Sequence, residues 1–360
     1  MTERTMAQIE SGTSNLLCNC AGAKPGDRIL LVGEDVENPY FAPELCRTVA
    51  RVAEGMGMKP EVIMAAPVPD AARFPQNVRD AMNRTECTIF FSRLGDQVRF
   101  SLPKRKSRPV MTYTLGLDYL AAPFASVDFR VMKRMHDALL ELILDSRGYQ
   151  ITGDCGTNLT GEIRPRREDP VAEFAVELFP VMIFPPINCD RMNGTLAIRL
   201  FVTWTSTRAY SGSTLVLDRP ILAQVENSRM TAFDGPADLV ARLRAQLERA
   251  AELTGGDAYR INSWHTGINP HTFFNGDPYA NLELWGTVAF GSPRYTHMHA
   301  AGDDPGDAAF HLMDMTISFD GKIAWDRGWF TFLDRPEIQA NIGADEREFL
   351  NSSVMHDIGI

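Results

Sequence analysis

Only six cysteines occur in 360 residues, and none sits at the spacing of a zinc knuckle or a thioredoxin-type pair. Cys18 and Cys20 are separated by one residue, and Cys46, Cys87, Cys155 and Cys189 are isolated among apolar neighbours, where a thiol packs as a small hydrophobe. This sparse usage excludes a disulfide scaffold and points to a reducing, cytoplasmic compartment. Positive charge is also in deficit. The formal net charge is −10, which argues against a nucleic-acid or other phosphate-binding surface as the main function. The short basic stretches Lys104-Arg105-Lys106 and Arg164 to Arg167 read as solvated loops. No apolar run is long enough to span a bilayer, and the first 25 residues, with Glu3 and Glu10, do not read as a signal peptide.

Apolar residues at 44% and charged residues at 23% are ordinary for a globular protein, and this length fits roughly two domains. The first 150 residues alternate strands and helices. Residues 1–22 read as a helix that frays into a Cys/Asn/Gly segment, and Lys24-Pro25-Gly26-Asp27 is a turn. Arg28 to Gly33, Lys59 to Ala65 and Cys87 to Phe91 read as strands, with helices at Pro43 to Met56, Asn77 to Met82 and Val127 to Leu144. His136, on the last of these helices, reads as a surface or packing residue. Such alternation implies parallel pairing, hence a doubly wound α/β domain over residues 1–150. The segment Leu31 to Asp35 lacks the second and third glycines of a dinucleotide fingerprint and places two acids where pyrophosphate would lie.

Residues 151–360 read as an α+β, β-rich domain. Tyr149 to Thr152, Leu196 to Thr205, Ser213 to Leu217, Ile221 to Val225 and Arg229 to Phe233 are expected strands. Pro236 to Leu253 is an expected helix, with Leu239, Leu243, Leu247 and Ala250 on one face. Beyond Gly255-Gly256 mostly strands are expected. This last region holds five of the seven histidines: His265, His271, His297, His299 and His311. Imidazoles gathered in about one sixth of the chain, with acids among them, point to a shared metal site. Residues 263 and 265 share a strand face, and so do His297 and His299, whereas His311 and Asp314 need a bulge to do so. The candidate site pairs His265 with His311, completed by one of His297, His299 and Asp314, and His271 reads as a neighbour of the site or an exposed residue. Each histidine also has a plainer reading as a hydrogen-bonded core or loop residue. Trp264, Phe290 and Tyr295 suit an aromatic substrate wall, but packing is the safer explanation of them.

Several short motifs carry a resemblance. Gly156-Thr157-Asn158-Leu159-Thr160 resembles the Gly-Thr-Asp-Leu-Thr segment of the aminopeptidase T type metallopeptidases. Phe179-Pro180 to Pro185-Pro186, followed by Asn193-Gly194-Thr195-Leu196, resembles that family's Pro-Gly-Glu strand and the Gly-Thr-Leu after it. Thr266 to Pro270 is similar to its Gly-Ile-Gly-Thr-Asn-Pro, and Gly286 to Gly291 to its Gly-Thr-Val-His-Ile-Ala-Leu-Gly. The same superfamily contains a ring-cleaving branch, the 2,5-dihydroxypyridine 5,6-dioxygenases, which use one ferrous ion held by two histidines and an aspartate. Departures separate the two branches. Val181-Met182 replaces the glutamate of the Pro-Gly-Glu strand. Ser263 stands where the first peptidase ligand falls, and the histidine of Gly-Thr-Val-His is absent, while Glu283 lies near a peptidase ligand position and is by that resemblance a further candidate ligand.

The resemblance thus implies a ferrous ring-cleaving dioxygenase acting on a small hydroxylated aromatic or N-heteroaromatic compound, and a homo-oligomer. Two other classes stay open. One is a zinc- or manganese-dependent hydrolase of a small amide, lactam or peptide. The other is a metal-free binding protein on the same fold. No nucleic-acid or membrane partner is expected.

Overall fold

The computed structural model describes residues 3–99, 109–164, 174–203, 205, 214–302, 307–344 and 346–360. The basic stretch Lys104-Arg105-Lys106, residues 165–167 and the expected strand start at Ser213 lie outside them. The chain forms two compact units. One is built chiefly from Met1–Lys133 and Glu173–Met182, the other from Arg134–Ala172, Ile183–Thr205 and Tyr210–Ile360. The chain therefore passes between units more than once, whereas the sequence suggested one break near residue 150.

The first unit is a parallel sheet flanked by helices. Strand β1 (Arg28–Glu34) pairs with β2 (Lys59–Ala65) on one side and β3 (Cys87–Phe91) on the other, and β4 (Val110–Thr112) follows β3. The Lys24–Asp27 turn that launches β1 closes as expected, with Lys24 N donating to the Asp27 carboxylate at 2.8 Å. β1 and β3 are central and almost wholly buried, whereas β2 is an edge strand that leaves Val62 and Met64 exposed. Two strands of the second unit come next in the chain, β5 (Gly148–Thr152) and β6 (Asn158–Glu162). Then β7 (Glu177–Phe179) returns to pair parallel with β4. The order β2-β1-β3-β4-β7 is that of a doubly wound sheet. No periodicity marks β7, because three residues are too few to show one.

The second unit is an antiparallel sheet of eleven strands among the described residues. After β8 (Ile187–Asn188) come β9 (Asp190–Thr203), β10 (Leu215–Glu226) and β11 (Arg229–Asp234), then β12 (Asp257–Thr266) and β13 (Tyr295–Gly302), and finally β14 (Ala308–Met313), β15 (Thr316–Phe319) and β16 (Lys322–Trp325). The two strands expected at 213–217 and 221–225 are one strand, β10, whose register slips between Leu217 and Ile221 around Pro220. Proline lacks the donor that a regular ladder needs. β9 pairs with both β10 and β14, so β10-β11-β12-β13-β14-β9 returns to its starting strand and closes a ring. A closed ring leaves no free edge there. All eight residues of β13 and all six of β14 are buried.

The helix Ala237–Thr254 buries Leu239, Leu243, Leu247 and Ala250, the expected stripe. It stops at Gly255, whose φ of 86° is the left-handed conformation that glycine adopts without strain. One element departs from the expected run of strands. Residues Leu282–Ala289 form a helix, capped by the Asn281 side chain, which accepts from Leu284 N at 2.9 Å. Leu282, Trp285, Val288 and Ala289 are its buried positions, a spacing of three and four that fits a helix and not a strand.

Candidate metal centre

β12, β13 and β14 lie side by side, and their register sets the site. His265 stands opposite His297, and His297 opposite His311. Directly opposed residues of antiparallel strands project to the same face. His299, two residues beyond His297, joins that face, as does Tyr295. The neighbouring positions turn the other way, where the Thr266 and Thr296 hydroxyls bond each other at 2.8 Å.

Three of these side chains meet. His265 Nε2 lies 2.7 Å from His297 Nε2 and 3.2 Å from His299 Nε2. One nitrogen from each ring falls within 4.8 Å of one from both others, and no other such group of histidine, cysteine or acidic side chains occurs among the described residues. All three rings are buried, at 3%, 8% and 1% exposure. The 3.2 Å separation is that of adjacent donors on a common ion, while the 2.7 Å one is shorter and is also a hydrogen-bond distance. Bonds of about 2.1 Å at right angles set adjacent donors about 3.0 Å apart, and tetrahedral ones about 3.4 Å. The far side of the His265 ring adds a second sign. Its Nδ1 lies 3.3 Å from the Phe184 carbonyl, which can only accept. The proton therefore resides on Nδ1 and leaves a lone pair on Nε2, the arrangement usual for a metal-binding imidazole.

The other expected ligands are placed elsewhere. His311 shares the face, but both its nitrogens are engaged. Nε2 contacts Thr203 Oγ1 at 2.8 Å, and Nδ1 meets the Tyr295 hydroxyl. Phe201 packs on the ring at 4.5 Å. Burial drops its pKa from 6.5 to about 3, so it is neutral under ordinary conditions. Asp314 stands just past the end of β14 at φ 57°, and its carboxylate is held by Arg294 at 2.8 and 2.9 Å. That turn, and not a bulge, is how the chain leaves the strand, and it delivers Asp314 to a guanidinium. Glu283 lies on the helix Leu282–Ala289, where it accepts from Thr214 Oγ1 at 3.2 Å.

His271 is buried and forms a separate pair. Its Nε2 donates to the Phe349 carbonyl at 2.8 Å, so its Nδ1 accepts from His356 Nε2 at 3.2 Å. Burial lowers its pKa from 6.5 to about 4. His356 had no local signal in the sequence, since it lies alone near the end of the chain. The partners Thr203, Tyr295 and Arg294 were equally silent, because only strand register brings them to His311 and Asp314. His136 is buried and contacts Asp137 at 2.9 Å. Among the aromatic candidates, Trp264 faces away from the cluster and packs on Tyr149 at 4.9 Å and Phe184 at 5.6 Å. Phe290 and Tyr295 stand 6.1 and 5.5 Å from the His297 ring.

No protein-family profile matches the sequence, and no curated protein matches it. Solved structures do. The 2,5-dihydroxypyridine dioxygenase of Pseudomonas putida KT2440 superposes with a TM-score of 0.58 at 12% identity, covering 91% of this chain and 97% of that one. The AmpT of Thermus thermophilus superposes with a TM-score of 0.50 at 10% identity, covering 89% and 98%. At these identities the likeness is one of architecture, and it spans both units. The chain has the fold shared by that dioxygenase and by AmpT.

Proposed function

We propose that His265, His297 and His299 hold a single catalytic metal ion, and that the protein is a metal-dependent enzyme. The observation that carries this reading is the convergence of three buried imidazole nitrogens, two of them 2.7 and 3.2 Å from His265 Nε2. Three protein ligands leave coordination places open for a substrate and a co-reactant. The set differs from the two histidines and one aspartate that the sequence resemblance implied, because Arg294 holds Asp314.

Within this reading the activity is that of a ferrous, ring-cleaving dioxygenase on a small hydroxylated aromatic or N-heteroaromatic compound. Ferrous iron would supply the means to activate O₂ beside a bound ring. The protein's part is to hold three imidazoles on one face, exclude water, and offer aromatic walls. Phe290 and Tyr295 flank His297, and Phe184 lies 6.4 Å from His265. The fold shared with a dioxygenase supports this choice. A paired-ion peptidase chemistry is less well supported, since two ions need more ligands than one three-histidine group provides.

A zinc or manganese hydrolase is the second reading. The observation in its favour is the all-histidine set, which suits zinc activating water. The proposal also takes the working form to be a homo-oligomer with a small-molecule substrate and without nucleic-acid or membrane partners. No helix among the described residues is long and apolar enough to cross a membrane, and all six cysteines are free thiols.

The test is metal analysis of anaerobically purified protein, followed by O₂ uptake with a dihydroxypyridine and hydrolysis of a peptide amide. Iron together with substrate-dependent O₂ uptake is the expected result. Zinc with amide hydrolysis would replace the oxygenase by the hydrolase, and absence of stoichiometric metal would end both.

A further inference from the structure

We infer that Ser263 hydrogen-bonds the ligand held at the His265–His297–His299 centre, donating to an anionic oxygen such as the ionised hydroxyl of a hydroxylated ring. The inference rests on the metal reading above. Its own observations are independent of how many histidines bind the ion.

Ser263 lies on β12 two residues before His265, so the two side chains share a face. In register it stands opposite His299 on β13. Its hydroxyl is thus on the wall that carries the three imidazoles, next to two of them. The residue is 2% exposed, and its Oγ is fully buried without a hydrogen-bond partner among the described residues. A buried hydroxyl with no partner destabilises a fold, and an alanine in its place would not carry that cost. Other buried hydroxyls of this unit are engaged. Thr266 bonds Thr296, Thr203 bonds His311, and Ser228 accepts from Met192 N at 3.0 Å. A polar group left unsatisfied beside three convergent ligand nitrogens is matched by a ligand that brings its own acceptor. Hydroxyl donation to an anionic oxygen is among the stronger protein hydrogen bonds. It would also fix which way an asymmetric ring lies on the ion, by selecting where its oxygen sits.

The experiment uses the full chain loaded with Co(II), whose visible spectrum reports its ligands, and azide as the probe anion. Wild type, Ser263→Ala and Ser263→Thr are compared. The alanine variant is expected to keep full cobalt content and to bind azide about tenfold more weakly, the loss of one charge-assisted hydrogen bond. The threonine variant, which keeps the hydroxyl, is expected to recover most of that affinity. Metal-free Ser263→Ala is expected to melt at the wild-type temperature or about 2 °C higher, because an unsatisfied buried group has been removed. A structural serine would move the melting temperature the other way. Equal azide affinity in wild type and Ser263→Ala overturns the inference while leaving the metal centre intact. So does a fall in melting temperature, or loss of cobalt, in the alanine variant. If wild-type protein takes up no cobalt, the metal reading fails and this inference falls with it.

Discussion

Each unit buries polar groups, and the two do it in opposite ways. In the parallel-sheet unit, Glu34 at the end of β1 is surrounded by donors. It accepts from Tyr40 N at 2.6 Å, Arg93 N at 3.0 Å and Arg93 Nε at 2.9 Å, and the Arg93 guanidinium lies over the Tyr40 ring. Asp96 accepts from the Tyr113 hydroxyl at 2.7 Å and from Arg99 at 3.4 Å. Burial raises the Asp96 pKa, and Arg99 and the tyrosine hydroxyl work against that rise. Both of these carboxylates have a guanidinium beside them. In the antiparallel unit, three buried imidazoles point at one another and no carboxylate joins them. A satisfied network of charges is explained by folding. On the reading proposed above, the convergence of imidazole nitrogens is completed by a cation from outside.

The largest expected effect separates these two kinds of burial. His265→Ala removes the ring that approaches both others, and metal content should fall from about one ion per chain to below about a tenth, since even a partner of a ligand is worth 10- to 100-fold in affinity. Elemental analysis of folded protein, verified by circular dichroism, reads this. Full metal content in that variant would erase the distinction between the two units.

Arg93→Ala is the counterpart in the first unit. It leaves the Glu34 carboxylate buried without its cation, at a cost of about 3 kcal/mol or more in denaturant unfolding. Metal content per folded chain should not change. A variant as stable as wild type would mean that Glu34 takes up a proton or finds water instead.

Acid sensitivity sharpens the comparison further. Burial lowers the His271 pKa from 6.5 to about 4. Between those values the unfolded chain binds a proton that the folded chain refuses. Stability is therefore complete above about pH 6.5 and falls as pH drops toward 4, by about 1.4 kcal/mol per unit from this group. Unfolding midpoints measured across that range should fall less steeply in His271→Asn than in wild type. Parallel slopes would show that His271 is not held neutral.

His311 distinguishes a ligand from a neighbour on the same strand face. His311→Gln should keep metal content and lose about 1–3 kcal/mol, because Tyr295 and Thr203 lose a shared partner in a buried place. Loss of metal with unchanged stability would return His311 to the ligand set and displace the present assignment. The smallest effect belongs to Asp314→Asn. Its half-exposed pair with Arg294 is worth less than about 1 kcal/mol, and metal content should be unchanged. A metal-free Asp314→Asn protein would show that the carboxylate swings to the ion.

Local patterns carried much of the fold. The apolar runs of β1 and β3, the turn at Lys24–Asp27 and the leucine stripe of the helix Ala237–Thr254 depend on neighbours within a few residues. Such features are written in period and in turn chemistry. The strand β7 and the helix Leu282–Ala289 were hidden for different reasons. The strand is three residues long and owes its place to pairing with β4, far away in sequence. The helix is short, and its five apolar residues of eight give no clear period from sequence alone. Only its burial in steps of three and four reveals the helical turn.

For the site, the sequence by itself determined which residue types were at hand and that His297 and His299 share a face, since alternation along a strand is a local rule. It also narrowed the histidines that matter to one sixth of the chain. Which of them meet was decided only by tertiary structure. His265, His297 and His311 stand in one row across three strands, yet the row is divided by their surroundings. Tyr295 and Thr203 take up His311, Arg294 takes up Asp314, and the remaining imidazoles are left facing each other. Those partners come from two segments, Arg294-Tyr295 and Thr203, and Thr203 is 108 residues from His311. Register between distant strands, not spacing along one of them, sets that choice, because hydrogen bonding across a sheet is blind to separation along the chain.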